Sequence, residues 1–167
     1  MKKILYGLLA TLLVGFLLLP QNMVIPVKGA SKSSWNPKTF WHDGWGKSGV
    51  HKGIDIFAAQ GQSVLSSTYG MVVYSGTLAL GGNVVVVLGP KWRLHYYAHL
   101  KKSDVGALNL VGRGEKIGEV GTTGNAATTP PHLHYAILTL IPYPWRIDDS
   151  RQGWRKMFYL NPQDYFE

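Results

Sequence analysis

Pro130-Pro131-His132-Leu133-His134-Tyr135-Ala136-Ile137 reads as a short strand entered from a proline-stiffened turn. Side chains on a strand alternate faces, so His132 and His134 point one way and Leu133 points into the opposite layer. Paired imidazoles on one face are costly to hide and useful to expose. A second constellation lies far upstream, in His51-Lys52-Gly53-Ile54-Asp55. In extended chain, residues four apart also share a face, so His51 and Asp55 converge on one point with the small Gly53 between them. A third candidate, His99, sits in Leu94-His95-Tyr96-Tyr97-Ala98-His99-Leu100. Three His/Asp donors drawn from two strands, with further imidazoles nearby, suit a tetrahedral zinc site.

Around these motifs the chain reads as all-β. Gly82-Asn83-Val84-Val85-Val86-Val87-Leu88-Gly89-Pro90 is the clearest strand, a β-branched run bracketed by glycine and proline. Residues 92–98 alternate and pair with it across Gly89-Pro90-Lys91. Further strands are expected over 53–57, 63–66, 70–76, 115–120 and 132–140, and 103–110 is a loop or a single helical turn. Short strands separated by glycine turns indicate an antiparallel sandwich or barrel-like domain. Residues 31–49 read as a connector whose tryptophans wrap onto the domain or wall a groove. Residues 141–167 read as an irregular tail pinned by aromatic side chains.

Residues 1–30 read as a signal peptide or membrane anchor. Lys2 and Lys3 precede an apolar run over 4–19, and no charge follows until Lys28. Lys28 spoils the small-residue cleavage site around Ala30, which favours retention as an anchor. The lysines ahead of the run keep the N-terminus cytoplasmic and export the remainder to the periplasm or cell surface.

Composition narrows the chemistry. The chain has no cysteine, which excludes disulfides, Cys-ligated zinc and a thiol nucleophile. Its net charge is +8, and leaving out Lys2, Lys3 and Lys28 reduces it to +5. That modest excess suits an anionic wall polymer, and it lacks the clustered basic stripe of a nucleic-acid binder. Gly46-Lys47-Ser48 has no strand or opening glycine ahead of it, so it is no phosphate loop. Gly61-Gln62-Ser63-Val64-Leu65 lacks the closing glycine of a nucleophile elbow.

Four elements occur in a telling order: His51-x-x-x-Asp55, Tyr97-Ala98-His99-Leu100, Gly118-x-Val120-Gly121-x-Thr123-Gly124 and Pro131-His132-Leu133-His134. Over residues 48–140 the chain resembles the lysostaphin-like zinc endopeptidases that cut peptidoglycan. The resemblance implies a compact β domain over 50–140 with a groove across one face. It implies Zn2+ held by His51, Asp55 and His134, with His99 and His132 catalytic, and peptidoglycan peptide stems as substrate. The segment Asn125-Ala126-Ala127-Thr128-Thr129-Pro130 lacks the Ser-Thr-Gly frequent in that family, and Tyr135-Ala136 stands where Phe-Glu is frequent. Both departures bear on groove shape more than on the metal.

The chemistry is consistent with that assignment. Zinc activates water and polarises an amide carbonyl. With no His-Glu-x-x-His helix to supply a glutamate base, His132 is the candidate general base, two residues from His134 and on its face. His99 is placed to hydrogen-bond the water or the oxyanion. His95 shares strand parity with His99 and is its rival. A module of the same kind that has no activity and instead activates a separate wall hydrolase is the competing function.

Overall fold

A computed structural model describes residues 2–167, apart from the side chains of Lys3, Leu8, Leu9, Ala10 and Leu12. The reading of Lys3 as half of a positive n-region therefore lies outside the described residues. After helix α1 (Lys2–Leu18) come β1 (Asp43–Trp45), β2 (Gly49–Val50), β3 (Ile54–Phe57), β4 (Ser63–Leu65), β5 (Gly70–Leu78) and β6 (Gly82–Gly89). They are followed by β7 (Arg93–Ser103), β8 (Leu110–Val111), β9 (Lys116–Val120), β10 (His132–Thr139) and β11 (Tyr159–Leu160). β1 and β2 form a hairpin of their own, and the other nine strands make one sheet paired antiparallel throughout.

The β6–β7 hairpin is the backbone of this sheet. The β-branched run of β6 pairs with the alternating run of β7 in the register Val87↔His95 and Leu88↔Leu94. A short turn, Pro90–Trp92, joins them, with Lys91 and Trp92 both at positive φ. β10 lies beside β7 (Ile137↔His95), and its other edge takes β3 (His134↔Asp55) and then β11 (Ile137↔Leu160). β7 outruns its neighbours, and its far end turns away to pair with β9, which in turn pairs with β4. The sheet thus curls over a core in which Ile54, Ile56, Val85, Val87, Leu133 and Ile137 are all fully buried. Tyr97 and Tyr135 are buried with them, and each hydroxyl is satisfied: Ser67 N–H donates to Tyr97 at 2.8 Å, and Tyr135 meets His95 Nδ1 at 2.6 Å.

Residues 1–30 divide into two parts. Helix α1 is 17 residues long and packs on the Pro90–Trp92 turn, with Phe16 and Trp92 rings 4.7 Å apart. No helix among the described residues is long and apolar enough to cross a membrane. Residues 21–30, in contrast, enter the β domain. Met23 and Val27 are buried in the core, Val24 N–H donates to Ser67 O, and Lys28 N–H donates to Ser63 O. Gln21 reaches further in, and its carboxamide donates to His95 Nε2 at 2.9 Å while accepting from Arg93. His95 is therefore the neutral tautomer carrying its proton on Nδ1, which it gives to Tyr135. Two other features lay beyond the pattern of the sequence: the β1–β2 hairpin inside the expected connector, and β11 inside the tail.

Two stability predictions follow from this packing. Met23→Ala removes a fully buried side chain and should cost about 2–5 kcal/mol in urea unfolding. Burial, helped by the Arg93 charge, pushes the His95 pKa down to about 3. The unfolded chain then binds the extra proton first, so this contribution is complete above about pH 6.5 and is lost as pH falls toward 3. At pH 5 the loss is about 2 kcal/mol from this one residue. Thermal melts at pH 7 and pH 5 should show a smaller acid shift in His95→Gln than in the wild-type chain.

Candidate metal centre

Strand register brings the first two donors together. His134 on β10 is the cross-strand partner of Asp55 on β3. His51 arrives from the segment just ahead of β3, which lies flat on β10 because residue 53 has no side chain. A Cβ at Gly53 would sit 2.4 Å from the Tyr135 carbonyl oxygen. The result is a tight triangle. His51 Nε2 lies 3.0 Å from Asp55 Oδ1 and 3.1 Å from His134 Nδ1, and His134 Nδ1 lies 2.8 Å from Asp55 Oδ1.

The protonation states suit a cation. Nδ1 of His51 donates to the Thr39 carbonyl at 3.1 Å, so neutral His51 turns a lone pair toward the triangle. Burial would push the Asp55 carboxyl up, but the adjoining His134 and His51 side chains outweigh it and hold the group well below the usual carboxylate range. Burial pulls the His134 imidazole down, against the pull of Asp55. A carboxylate and two imidazole nitrogens, all within 4.8 Å of one another, face a common point. That donor set fits zinc with an open fourth position.

His132 and His99 stand beside the triangle. His132 is on β10 two residues before His134, and its Nδ1 donates to the Pro130 carbonyl at 2.8 Å. Its Nε2 is 3.9 Å from Asp55 Oδ1. His99 Nδ1 donates to the Thr123 carbonyl at 2.9 Å, and the His99 and His132 ring centres are 5.0 Å apart. Each ring therefore spends its Nδ1–H on a backbone carbonyl and turns Nε2 to the cleft. Burial and the neighbouring His134 lower the His99 pKa to about 4.

His95, the rival from strand parity, is excluded from this cleft. It is fully buried in the core layer, whereas His99 and His134 line the cleft. Parity fails because His99 has φ +64, a left-handed conformation that a strand does not contain. The chain flips there and resumes with Leu100 against β9. The Gly118–Gly124 motif supports the flip. A Cβ at Gly121 would lie 2.3 Å from Lys101 N and 2.8 Å from the His99 carbonyl oxygen. Thr123 holds the same turn by donating to Leu100 O and accepting from Asn83 N–H, both at 2.9 Å.

The five residues line a groove of roughly 440 Å³ together with residues that had no motif to mark them. Trp45, on the β1–β2 hairpin, stacks on His51 with ring centres 4.2 Å apart and planes at 19°. Its sequence neighbours Trp35 and Trp41 pack elsewhere, against Phe166 and Tyr159. Tyr159, from the tail, lines the groove as well. Lys52 stands at its rim, where burial and then the Arg155 charge lower its pKa.

Comparison with known proteins accords with this geometry. The sequence profile of peptidase family M23 matches residues 49–142. The chain is 34% identical over 115 residues to an L-Ala–D-Glu endopeptidase of Bacillus subtilis, covering 64% of this chain and 35% of that protein. It is 36% identical over 90 residues to the murein hydrolase activator NlpD of Escherichia coli, covering 53% of this chain and 23% of that one. It thus spans about a third or less of these relatives' lengths. The lysostaphin catalytic domain of Staphylococcus simulans superposes with TM-score 0.56 at 26% identity, covering 71% of this chain and 80% of the other. A zinc-containing peptidase of Vibrio cholerae gives TM-score 0.58 at 31% identity, covering 71% and 36%.

The geometry separates the three donors of the triangle from the neighbouring histidines. His134→Ala, which removes one corner of the triangle, should lose stoichiometric zinc in elemental analysis. His132→Ala and His99→Ala should retain it.

Proposed function

This chain belongs to peptidase family M23, and from that premise we propose that it is a zinc-dependent endopeptidase acting on the peptides of bacterial peptidoglycan. One observation carries the reading: the His51, Asp55 and His134 donors meet in a groove that two further imidazoles line, each anchored through Nδ1 on a backbone carbonyl. His51, Asp55 and His134 are the proposed ligands. Zinc there would supply a Lewis acid that makes water nucleophilic near neutral pH and polarises the amide carbonyl.

The protein's own part is positioning and proton movement. His132 Nε2 accepts the proton of the attacking water and delivers it to the departing amine nitrogen. Its Nδ1–H, anchored on Pro130 O, fixes the ring orientation through both transfers. His99 Nε2 accepts the second hydrogen of that water and sets its direction of attack. With its pKa near 4, His99 is neutral at working pH and is an acceptor at rest, not a donor to an oxyanion. Trp45, stacked on His51, shields that ligand from solvent and walls the peptide path.

The wall as substrate is supported by the endopeptidase and lysostaphin names among the relatives and by the residual positive charge of the β domain. In this reading the domain works outside the cytoplasm, with residues 1–30 serving as a signal peptide or membrane anchor. The relation to NlpD leaves a second reading, in which the domain activates a separate hydrolase.

Digestion of purified peptidoglycan with mass analysis of the fragments tests both. The enzyme reading expects peptide-bond cleavage with glycan strands intact, abolished by chelator and restored by zinc. Release only when a second hydrolase is added would favour the activator. Within the enzyme reading, His132→Ala should lower kcat by ~10² to 10⁴ with zinc content unchanged.

A further inference from the structure

The groove does not end at the metal-binding triangle. Beyond Leu138 and Tyr159, which line both, it continues into a second hollow of roughly 390 Å³ floored by Leu94 and Leu140 and walled by Trp154 and Phe158. Tyr159, Trp154, Phe158 and the adjoining Arg155 all come from the tail, outside the stretch that matches the family profile.

The charges along this path are unbalanced. Lys52 and Arg155 are its two cations, and Asp55, engaged by His51 and His134, is its one acid. Two other cations of the tail have acidic partners: Arg151 pairs with Asp43, and Lys156 pairs with Asp148. Among the described residues no carboxylate lies within ion-pair reach of Lys52 or Arg155. The Lys52 ammonium donates to the Ser48 and Val50 carbonyls at 3.2 and 3.4 Å. The Arg155 guanidinium donates to the Gln152 side chain at 3.3 Å and lies 5.1 Å from the centre of the Trp154 ring. Two uncompensated cations on the walls of a cleft concentrate positive potential there, and a divalent cation on the triangle would add to it.

We propose that Lys52 and Arg155 form a carboxylate-binding subsite, so that this chain prefers peptides bearing a free carboxylate on the stretch that runs from the triangle toward Trp154. The guanidinium takes the carboxylate in a two-point hydrogen-bonded pair, Lys52 adds a point charge, and the hollow accepts a small apolar side chain beside it. The proposal rests on the peptidase reading above and adds a substrate class to it.

Matched walls test it. Peptidoglycan with free stem-peptide carboxylates is split into two batches, and one is amidated with carbodiimide and ammonia. Initial rates of peptide-bond cleavage are then measured for the wild-type chain, Arg155→Gln and Arg155→Lys, with zinc content and circular dichroism recorded for each. The wild-type chain should cleave the native wall roughly three- to tenfold faster than the amidated one, as for a charge-assisted contact at a partly exposed site. Arg155→Gln should bring that ratio close to one, and Arg155→Lys should restore part of it. Equal wild-type rates on the two walls, or an unchanged ratio in Arg155→Gln, would overturn the subsite while leaving the peptidase reading intact. Absence of cleavage on both walls would instead overturn the peptidase reading and the subsite with it.

Discussion

The pairing of His134 with Asp55 across two antiparallel strands is the constraint on which the rest of the structure depends. Side chains on a strand alternate with period two, so a slip of one residue between β3 and β10 would turn one of these groups to the wrong layer. Register here is held from both sides. Leu133 and Ile56 are paired in the same ladder and fully buried, which ties the outward placement of His134 and Asp55 to the burial of their neighbours. Hydrophobic packing on one face thus sets donor geometry on the other. A half-buried carboxylate between two imidazoles is an expensive arrangement for an isolated domain, because each group loses water. A bound cation would offset that cost, which is why the cluster reads as a candidate site and not as a stabilising ion pair.

The second constraint is local and works against strand regularity. His99 reaches the cleft only because the chain takes a left-handed turn at that residue, in the middle of the longest strand. A bulky residue in that conformation is strained by of order 1–3 kcal/mol unless the surroundings hold it. They do: Gly81 O receives the His99 N–H, Thr123 braces the next residue, and Gly121 passes beneath without a side chain. Just past the flip, Leu100 pairs with Asn83 of β6 and with Val120 of β9, where the β7 pairing with β9 begins. One backbone irregularity therefore coincides with the change of strand partner and sets the direction of an imidazole.

The all-β antiparallel architecture was legible in the sequence because Val84–Val87, the alternating start of β7 and the glycine boundaries are local signals. The grouping of His51, Asp55 and His134 was legible through the family resemblance, since spacing alone left His99 as a further candidate donor. Three features were not. Parity counting put His95 and His99 on one face, and only a backbone dihedral separates them. Met23 and Val27 looked like the trailing end of a leader, because burial by a sheet edge far along the chain leaves no periodic mark on a short segment. Trp45 carried no more signal than Trp35 or Trp41, and its stacking on His51 depends on a three-residue strand pairing across a turn. Features set by non-local contacts of single residues are the ones that pattern reading misses.

X-ray absorption at the zinc edge of the purified, zinc-loaded chain tests the central claim most directly. The account predicts one zinc per chain with a mixed shell of two imidazole nitrogens and oxygen at about 2.0–2.2 Å, one oxygen belonging to exchangeable water. A shell of three or four imidazoles, or failure to retain zinc at one equivalent, would contradict it, because His51, Asp55 and His134 would then not be the residues that hold the metal.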